Sequence, residues 1–148
     1  MDVKEAAHDA GLVSLLVQLN KAIHRRSTDE MLGMRLKAYM TLGYVRDHPG
    51  ATQQELESAM VMDANSVVLI LNELEAAQLS MRRRDPQDRR RHIVEITPAG
   101  RHALERADKA RAALEDEICA SLSDEERKTL KNLAGRVLES ALKQEARA

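Results

Sequence analysis

The sequence MRRRDPQDRRRHIVEITP occupies residues 81–98 and contains the most distinctive pattern of the chain. Apolar and polar side chains nearly alternate over residues 79–82 and again over residues 92–96, as they do in half-buried strands. Between these runs, residues 85–88 (Asp-Pro-Gln-Asp) are typical of a type I turn, with Asp at its first position and Pro at its second. The segment therefore predicts a β-hairpin with an arginine-rich loop.

Two short helices are predicted immediately before the hairpin. Thr52 and Glu55 have the spacing of a capping box, and the helix that they begin is expected to end near Met60. Asp63 is typical of an N-cap and begins a second helix, predicted over residues 63–77. The positions of this second helix expected to face inward are Val67, Leu71 and Leu74. Because about three residues join the two helices, the pattern indicates a helix-turn-helix.

Longer helices are predicted on both sides of this central region. An apolar stripe over residues 12–23 predicts one helix, and a second is expected over residues 31–47, ending before Pro49. A long helix is expected over residues 98–120, and a capping box at Ser123 begins the last one. The sequence thus predicts a mainly α fold with one small β-hairpin.

The composition excludes several classes of binding protein. The chain has 148 residues, and two Tyr are its only aromatic side chains. Modules that stack single-stranded or RNA bases on aromatic platforms are therefore excluded. The single cysteine, Cys119, can form neither an intrachain disulfide nor a cysteine-rich zinc site, and we expect it to be a buried structural residue. Because the histidines are scattered, we expect no metal and no other cofactor.

Catalytic motifs and targeting segments are also absent from the sequence. It has no Gly-rich phosphate loop, no nucleophile elbow and no recognisable pair of catalytic carboxylates, so we do not expect an enzyme. The first residues lack the features of a signal peptide, and no run approaches the ~18 apolar residues of a membrane span. The expected location is the cytoplasm, without a membrane partner.

The charge is distributed unevenly along the chain. The totals are 23 Lys and Arg against 24 Asp and Glu, but residues 81–92 contain six Arg and two Asp. This segment therefore has a net charge of +4, which leaves −5 for the remainder. A charge run that stands alone is usually a solvated face. Beside a helix-turn-helix it fits duplex DNA, because the helix can enter the major groove while arginines reach the backbone or the minor groove.

Residues 85–101 resemble the wing and the following helix start of the MarR family of bacterial transcription regulators. The family pattern has Asp, any residue and Arg, followed by an apolar strand and a Leu-Thr-x-x-Gly ending. The matching positions here are Asp88, Arg90, Ile96, Thr97 and Gly100. The arrangement of helices also fits, from about residue 8 to residue 142.

The resemblance implies a winged helix-turn-helix with a helical dimerisation region. Residues 1–30 would form an N-terminal dimerisation helix, residues 31–97 the DNA-binding domain, and residues 98–148 the C-terminal dimerisation helices. The apolar stripes of the terminal helices also favour a homodimer that would bury them, although they could instead fold back within a monomer. A symmetric dimer would bind a pseudo-palindromic operator on double-stranded DNA.

The resemblance also assigns roles within the winged domain. Residues 63–77 would be the recognition helix, Arg90 the wing-tip arginine in the minor groove, and Asp88 a residue that orients this arginine by ion pairing. Four candidate base readers on this helix also have a structural alternative. For Asn65 and Ser66 the alternative is helix capping, and for Val68 and Leu69 it is core packing. The full set of expected DNA contacts is Gln53, Gln54, Asn65, Ser66, Val68, Leu69, Asn72, Arg82, Arg84, Arg89, Arg90 and Arg91.

Two features depart from the family pattern. Gln78 stands where the family usually has Gly between the recognition helix and the wing, so Gln78 would have to adopt the turn's conformation. The recognition helix also lacks a basic residue between positions 63 and 78. These departures leave open an alternative function, a dimeric small-molecule-binding or protein-interaction module that has lost specific DNA recognition.

Family members often respond to small phenolic or anionic molecules bound between the dimer helices and the winged domain. A ligand-responsive repressor is therefore the expected function. The residues in the matching region are His24, Arg25, Tyr39 and Met40. No specific motif supports them, and residues of these types on a helix more often have a structural role.

Overall fold

A computed structural model describes residues 11–147 of the chain. Predictions that concern residues 1–10 and 148 lie outside the described residues. The elements in chain order are α1 (Gly11–Arg26), α2 (Asp29–Leu32), α3 (Leu36–Asp47), α4 (Gln53–Met60), α5 (Ala64–Ala76), β1 (Ser80–Arg84), β2 (His92–Ile96), α6 (Pro98–Ile118) and α7 (Asp124–Arg147). The predicted fold class, mainly α with one β-hairpin, is confirmed.

The predicted helix over residues 31–47 ends at Asp47 as expected, but its predicted start is wrong, because two helices share this region. The short α2 is capped at its start by Thr28, whose hydroxyl accepts a hydrogen bond from the Met31 N–H at 3.2 Å. Gly33 ends α2 with a φ of 77°, a left-handed conformation that glycine adopts without steric cost. The chain then starts α3 at Leu36.

The predicted helix-turn-helix is formed by α4 and α5. The Thr52 hydroxyl accepts from the Glu55 N–H at 3.2 Å, and Asp63 Oδ1 accepts from the Ser66 N–H at 2.7 Å, so both predicted N-caps are present. Val61 ends α4 with a φ of 54°. The inward-facing side of α5 is fully buried, as predicted, at Val67, Leu71 and Leu74.

One hydrophobic core joins the helix-turn-helix to α3, β2 and the first part of α6. Its most completely buried large side chains include Leu42, Leu56, Leu71, Val94 and Leu104. Each element contributes at least one of these side chains, so burial of apolar area fixes the position of α5 relative to the hairpin.

The hairpin pairs β1 with β2 in antiparallel register, from Ser80 opposite Ile96 to Arg84 opposite His92. Residues 51 and 52 add to its β2 edge, through a hydrogen bond of 2.9 Å from the Val94 N–H to the Ala51 carbonyl. The predicted turn at residues 85–88 is misplaced. The β-turn hydrogen bond runs from the Arg91 N–H to the Asp88 carbonyl at 2.9 Å. Asp85 instead accepts from the Gln87 N–H through its side chain, as Asp commonly does in loops.

The chain divides after Ala112 into two compact units. In the described part of the first unit, α1 has no buried residue, and its exposed apolar side chains are Leu12, Val13, Leu15, Leu16, Val17 and Leu19. In the second unit, α7 begins with the predicted capping box, in which Ser123 and Glu126 exchange hydrogen bonds of 2.9 and 3.1 Å. Its exposed apolar side chains are Leu130, Leu133, Val137 and Leu138.

Cys119, expected to be buried, is partly exposed. Within residues 11–147, no helix has the length and apolar character needed to cross a membrane.

Candidate nucleic-acid interface

The exposed face of α5 carries three of the predicted base-reading residues. Asn65, Leu69 and Asn72 are all exposed, and their i, i+4, i+7 spacing places them on one side of the helix. Leu69 is 57% exposed, so core packing does not explain it. Ser66 and Val68 are partly buried beside this face. The side chain that caps α5 belongs to Asp63, which leaves the Asn65 side chain without a capping role.

The tip of the wing is organised around Asp88. Its Oδ1 accepts a hydrogen bond from the Arg90 N–H at 3.1 Å and lies 3.5 Å from Arg90 Nε, while Oδ2 lies 3.5 Å from Arg91 Nε. The Arg90 side chain is 93% exposed, whereas that of Asp88 is 33% exposed. The carboxylate therefore holds the backbone of the tip while the guanidinium of Arg90 extends into solvent.

A cleft of about 110 Å³ separates the wing from the start of α4. Gln53 and Gln54 line it from the first turn of the helix, and Arg90 and Arg91 line it from the wing. Backbone N–H groups at a helix N-terminus and arginine side chains both favour phosphate oxygens. The predicted phosphate-contacting glutamines and the wing arginines thus lie around one concave surface.

Arg82 lies in a different setting from the wing tip. Its Nε donates to Glu75 Oε1 at 2.7 Å, and its Nη2 donates to Glu75 Oε2 at 3.0 Å and to Asn72 Oδ1 at 2.6 Å. Hydrogen bonds from Arg82 hold the pKa of Glu75 below its usual value. Arg82, predicted to contact DNA, is therefore paired with the recognition helix, while the predicted contacts Arg84 and Arg89 are exposed.

Both carboxylates of α5 are paired with arginines from neighbouring segments. Glu75 binds Arg82, and Glu73 Oε1 lies 2.9 Å from Arg35 Nε, just before α3. An unpaired carboxylate here would repel DNA phosphates. Glu73 and Glu75 were not predicted from the sequence as functional residues. Two carboxylates on an otherwise uncharged helix could have indicated that arginines elsewhere in the chain pair with them.

The four predicted effector residues are not in one environment. His24 and Arg25 are exposed on α1, and Met40 is 48% exposed on α3. Tyr39 is buried, and its hydroxyl donates to Asp108 and accepts from Arg111 Nε at 2.8 Å. Burial, together with the hydrogen bond to Asp108, raises the pKa of Tyr39. Tyr39 thus belongs to a polar network between α3 and α6.

Comparison with known proteins places this geometry in a family. The MarR family model matches residues 36–92, from α3 to the start of β2. A protein described as a transcriptional regulator of the hcr operon of Thauera aromatica is 38% identical over 99 residues. The match includes 67% of this chain and 60% of the relative, so this chain spans about three fifths of the relative's length.

Solved structures share the fold over nearly the whole chain. A crystal structure of MarR has a TM-score of 0.84 at 24% identity and covers 100% of this chain and 99% of its own. The transcriptional repressor CouR, bound to a 23-mer DNA duplex, has a TM-score of 0.81 at 24% identity, with coverage of 93% and 99%. From the match to residues 36–92 and the shared winged helix-turn-helix fold, the chain belongs to the MarR family.

Proposed function

We propose that this protein is a homodimeric repressor that binds a specific pseudo-palindromic sequence in double-stranded DNA. The observation that carries the proposal is the wing tip, where Asp88 fixes the backbone and Arg90 is almost fully exposed. A narrow minor groove has the negative potential that attracts such a guanidinium. In the same proposal α5 enters the major groove, with Asn65, Leu69 and Asn72 facing the bases.

Phosphate contacts supply the affinity in this proposal. The cleft between α4 and the wing presents Gln53, Gln54, Arg90 and Arg91 to the backbone. Because α5 has no basic residue, electrostatic attraction comes from the hairpin and from helix N-termini. The repressor CouR, which shares this fold, is bound to a DNA duplex in its solved structure, and this supports DNA binding.

The exposed apolar faces support the dimer. Six large apolar side chains of α1 and four of α7 face solvent in the single chain. Leaving so much apolar surface in water is unfavourable, and a second copy of the chain would cover it. A two-fold axis then places the two recognition helices about one DNA turn (~34 Å) apart, which requires an operator with two matching half-sites.

We also propose that a small molecule regulates the repressor. The family resemblance and the candidate residues His24, Arg25, Tyr39 and Met40 support this response. Because three of these are exposed in the single chain, their enclosure depends on the dimer. A phenolic or anionic compound that binds there is expected to raise the melting temperature and to release DNA.

A mobility-shift titration on the DNA upstream of the gene tests the proposal. Sequence-dependent binding is expected, with affinity falling about 10³- to 10⁵-fold between 50 and 200 mM salt if ~6–10 phosphates are contacted. Arg90→Ala should weaken binding strongly, whereas Arg136→Ala, which removes an equal charge from α7, should not. Binding that is equal on random DNA would contradict the proposal and favour the alternative, a module without specific DNA recognition.

The dimer is tested separately by sedimentation at micromolar concentration. We expect a species of twice the 16.6 kDa chain mass, for wild type and for Arg90→Ala alike. A 16.6 kDa species for the wild type would reject the dimer.

A further inference from the structure

We propose that the Arg82–Glu75 ion pair fixes the side-chain amide of Asn72 so that Asn72 presents only its NH₂ group to DNA and selects guanine. This inference rests on the proposed function. It specifies which base Asn72 reads, and it identifies Arg82 and Glu75 as positioning residues.

The three side chains form one connected group between α5 and β1. Asn72 and Glu75 are three residues apart on α5 and share a face of the helix. Arg82 lies on β1 opposite Val94 and uses Nε and Nη2 to bind both oxygens of Glu75, at 2.7 and 3.0 Å. The same Nη2 binds Asn72 Oδ1 at 2.6 Å. Two bonds to the carboxylate orient the plane of the guanidinium, and this orientation sets the position of the third bond.

The chemistry of arginine determines which end of the amide faces it. A guanidinium has five N–H donors and no acceptor, so only the carbonyl oxygen of Asn72 can face Arg82. In a planar amide the NH₂ group then lies on the other side of the side chain. Because the Asn72 side chain is exposed, these two N–H donors are available to a partner in solution.

The donor pattern of the base edges decides what such an amide can read. Bidentate reading of adenine requires the amide oxygen to accept from N6–H while its NH₂ donates to N7. In this protein one lone pair of the oxygen is already engaged by Arg82 Nη2, so adenine could be read only if the second lone pair were aligned with N6–H while the guanidinium holds the first. Guanine presents two acceptors, N7 and O6, in the major groove, which match the free NH₂ donors of the amide without any demand on its oxygen. Asn72, expected from the sequence to contact DNA, is therefore assigned to guanine.

The electrostatics of the pair support a positioning role for Arg82. The carboxylate of Glu75 lies directly against the guanidinium, and the Arg82 side chain is only 22% exposed. A neutralised and mostly covered arginine contributes little to phosphate attraction compared with Arg90, which is 93% exposed. The contribution of Arg82 to binding is thus expected in base preference and not in the salt dependence of affinity.

Selection from a pool of randomised duplexes, followed by affinity measurements on single-base variants, tests this inference. The wild type should prefer guanine to adenine by about 10- to 100-fold at one position in each half-site, and Asn72→Ala should abolish that preference. The double variant Glu75→Gln/Arg82→Met keeps the net charge and frees the amide. Its preference for guanine over adenine should fall at least about tenfold. The matched control Arg83→Met/Glu95→Gln removes a neighbouring ion pair of 2.5 Å and should leave the preference unchanged.

The outcomes separate this inference from the proposed function. Equal binding of all duplexes by the wild type would reject both. Specific binding in which Asn72→Ala changes no base preference, or in which the wild type prefers adenine at that position, would reject only the role of Asn72. A guanine preference retained by the folded double variant would overturn the role of the pair. If that variant does not fold, Arg82→Lys decides, because it keeps the charge but loses the planar fork. Its guanine preference should then fall.

Discussion

The hydroxyl of Thr97 donates a hydrogen bond to the backbone carbonyl of Gln78 at 2.7 Å and accepts one from the Gly100 N–H at 2.9 Å. Thr97 therefore caps α6 and at the same time holds the residue that links the recognition helix to the wing. Gln78 has a φ of 61°, in the left-handed region where the family usually has glycine. The backbone bonds around it, including Leu79 N–H to the Leu74 carbonyl at 2.9 Å, keep it there.

Replacing Gln78 by glycine should stabilise the protein. A left-handed conformation costs a residue with a Cβ about 1–2 kcal/mol, and glycine avoids this cost while losing some chain entropy on folding. We expect Gln78→Gly to raise the free energy of unfolding by about 1 kcal/mol in urea titrations. Gln78→Ala keeps the strained conformation and should stay within about 0.5 kcal/mol of the wild type. Equal stabilisation by both variants would contradict this explanation.

Gly100 is required by the close approach of α6 to the chain before β1. A Cβ at this position would lie 2.1 Å from the Leu79 carbonyl oxygen, a distance at which the backbone must shift. Gly100→Ala should therefore lower the free energy of unfolding by about 1–3 kcal/mol or more. Gly135→Ala is the matched control on α7, where nothing lies within 4 Å, and it should stabilise by about 0.5–1 kcal/mol. Thermal denaturation of both variants measures the contrast, and equal melting temperatures would show that no such contact exists.

Removing the negative charge of Asp88 should weaken DNA binding if Asp88 positions the wing. Asp88→Ala removes the acceptor for the Arg90 N–H, so the wing tip must be ordered on binding, and affinity should fall by about tenfold. Glu57 lines the cleft between α4 and the wing, and Glu57→Ala removes an equal charge without touching the wing turn. This control should bind DNA as tightly as the wild type or more tightly. An increase in affinity for Asp88→Ala would show that repulsion outweighs positioning.

The network between α3 and α6 predicts a pH-dependent stability. Burial raises the pKa of Asp108, but hydrogen bonds from Tyr39 and Arg46 outweigh this effect and hold the pKa below its usual value. A carboxylate with a lowered pKa stabilises the fold above its unfolded pKa of ~3.9, and this contribution is lost as the pH falls through the folded pKa. Asp108→Asn should cost about 1–3 kcal/mol at neutral pH.

Denaturant unfolding at several pH values measures this difference. The gap between wild type and Asp108→Asn should shrink as the pH falls below ~4. Asp47→Asn is the control, because Asp47 also pairs with Arg46, at 3.0 Å, but its side chain is 59% exposed. It should cost less than about 1 kcal/mol. A gap for Asp108→Asn that does not change with pH would contradict the ionised hydrogen-bonding role.

Local sequence patterns predicted the elements of the winged domain well. Thr52, Asp63, Thr97 and Ser123 cap helices as expected, because a capping residue and the N–H group that it binds are only two or three residues apart. The alternation over residues 92–96 predicted β2 with its exact bounds. The errors were also local. Apolar periodicity continues across Gly33, so the break between α2 and α3 was not predicted. The turn was predicted at Pro86, but the β-turn hydrogen bond joins Asp88 and Arg91.

The sequence alone determined that this protein is a capped helix-turn-helix with an arginine-rich hairpin, because caps, turns and periodicity depend on neighbours in the chain. Only the tertiary structure decided which arginines remain exposed. Arg90 extends from the wing tip, while Arg82 binds Glu75 and Asn72 seven and ten residues away, and Tyr39 meets Asp108 across 69 positions. Six similar arginines in one segment cannot be distinguished by composition. Their roles follow from the partners that packing of α5 against the hairpin brings within hydrogen-bonding distance.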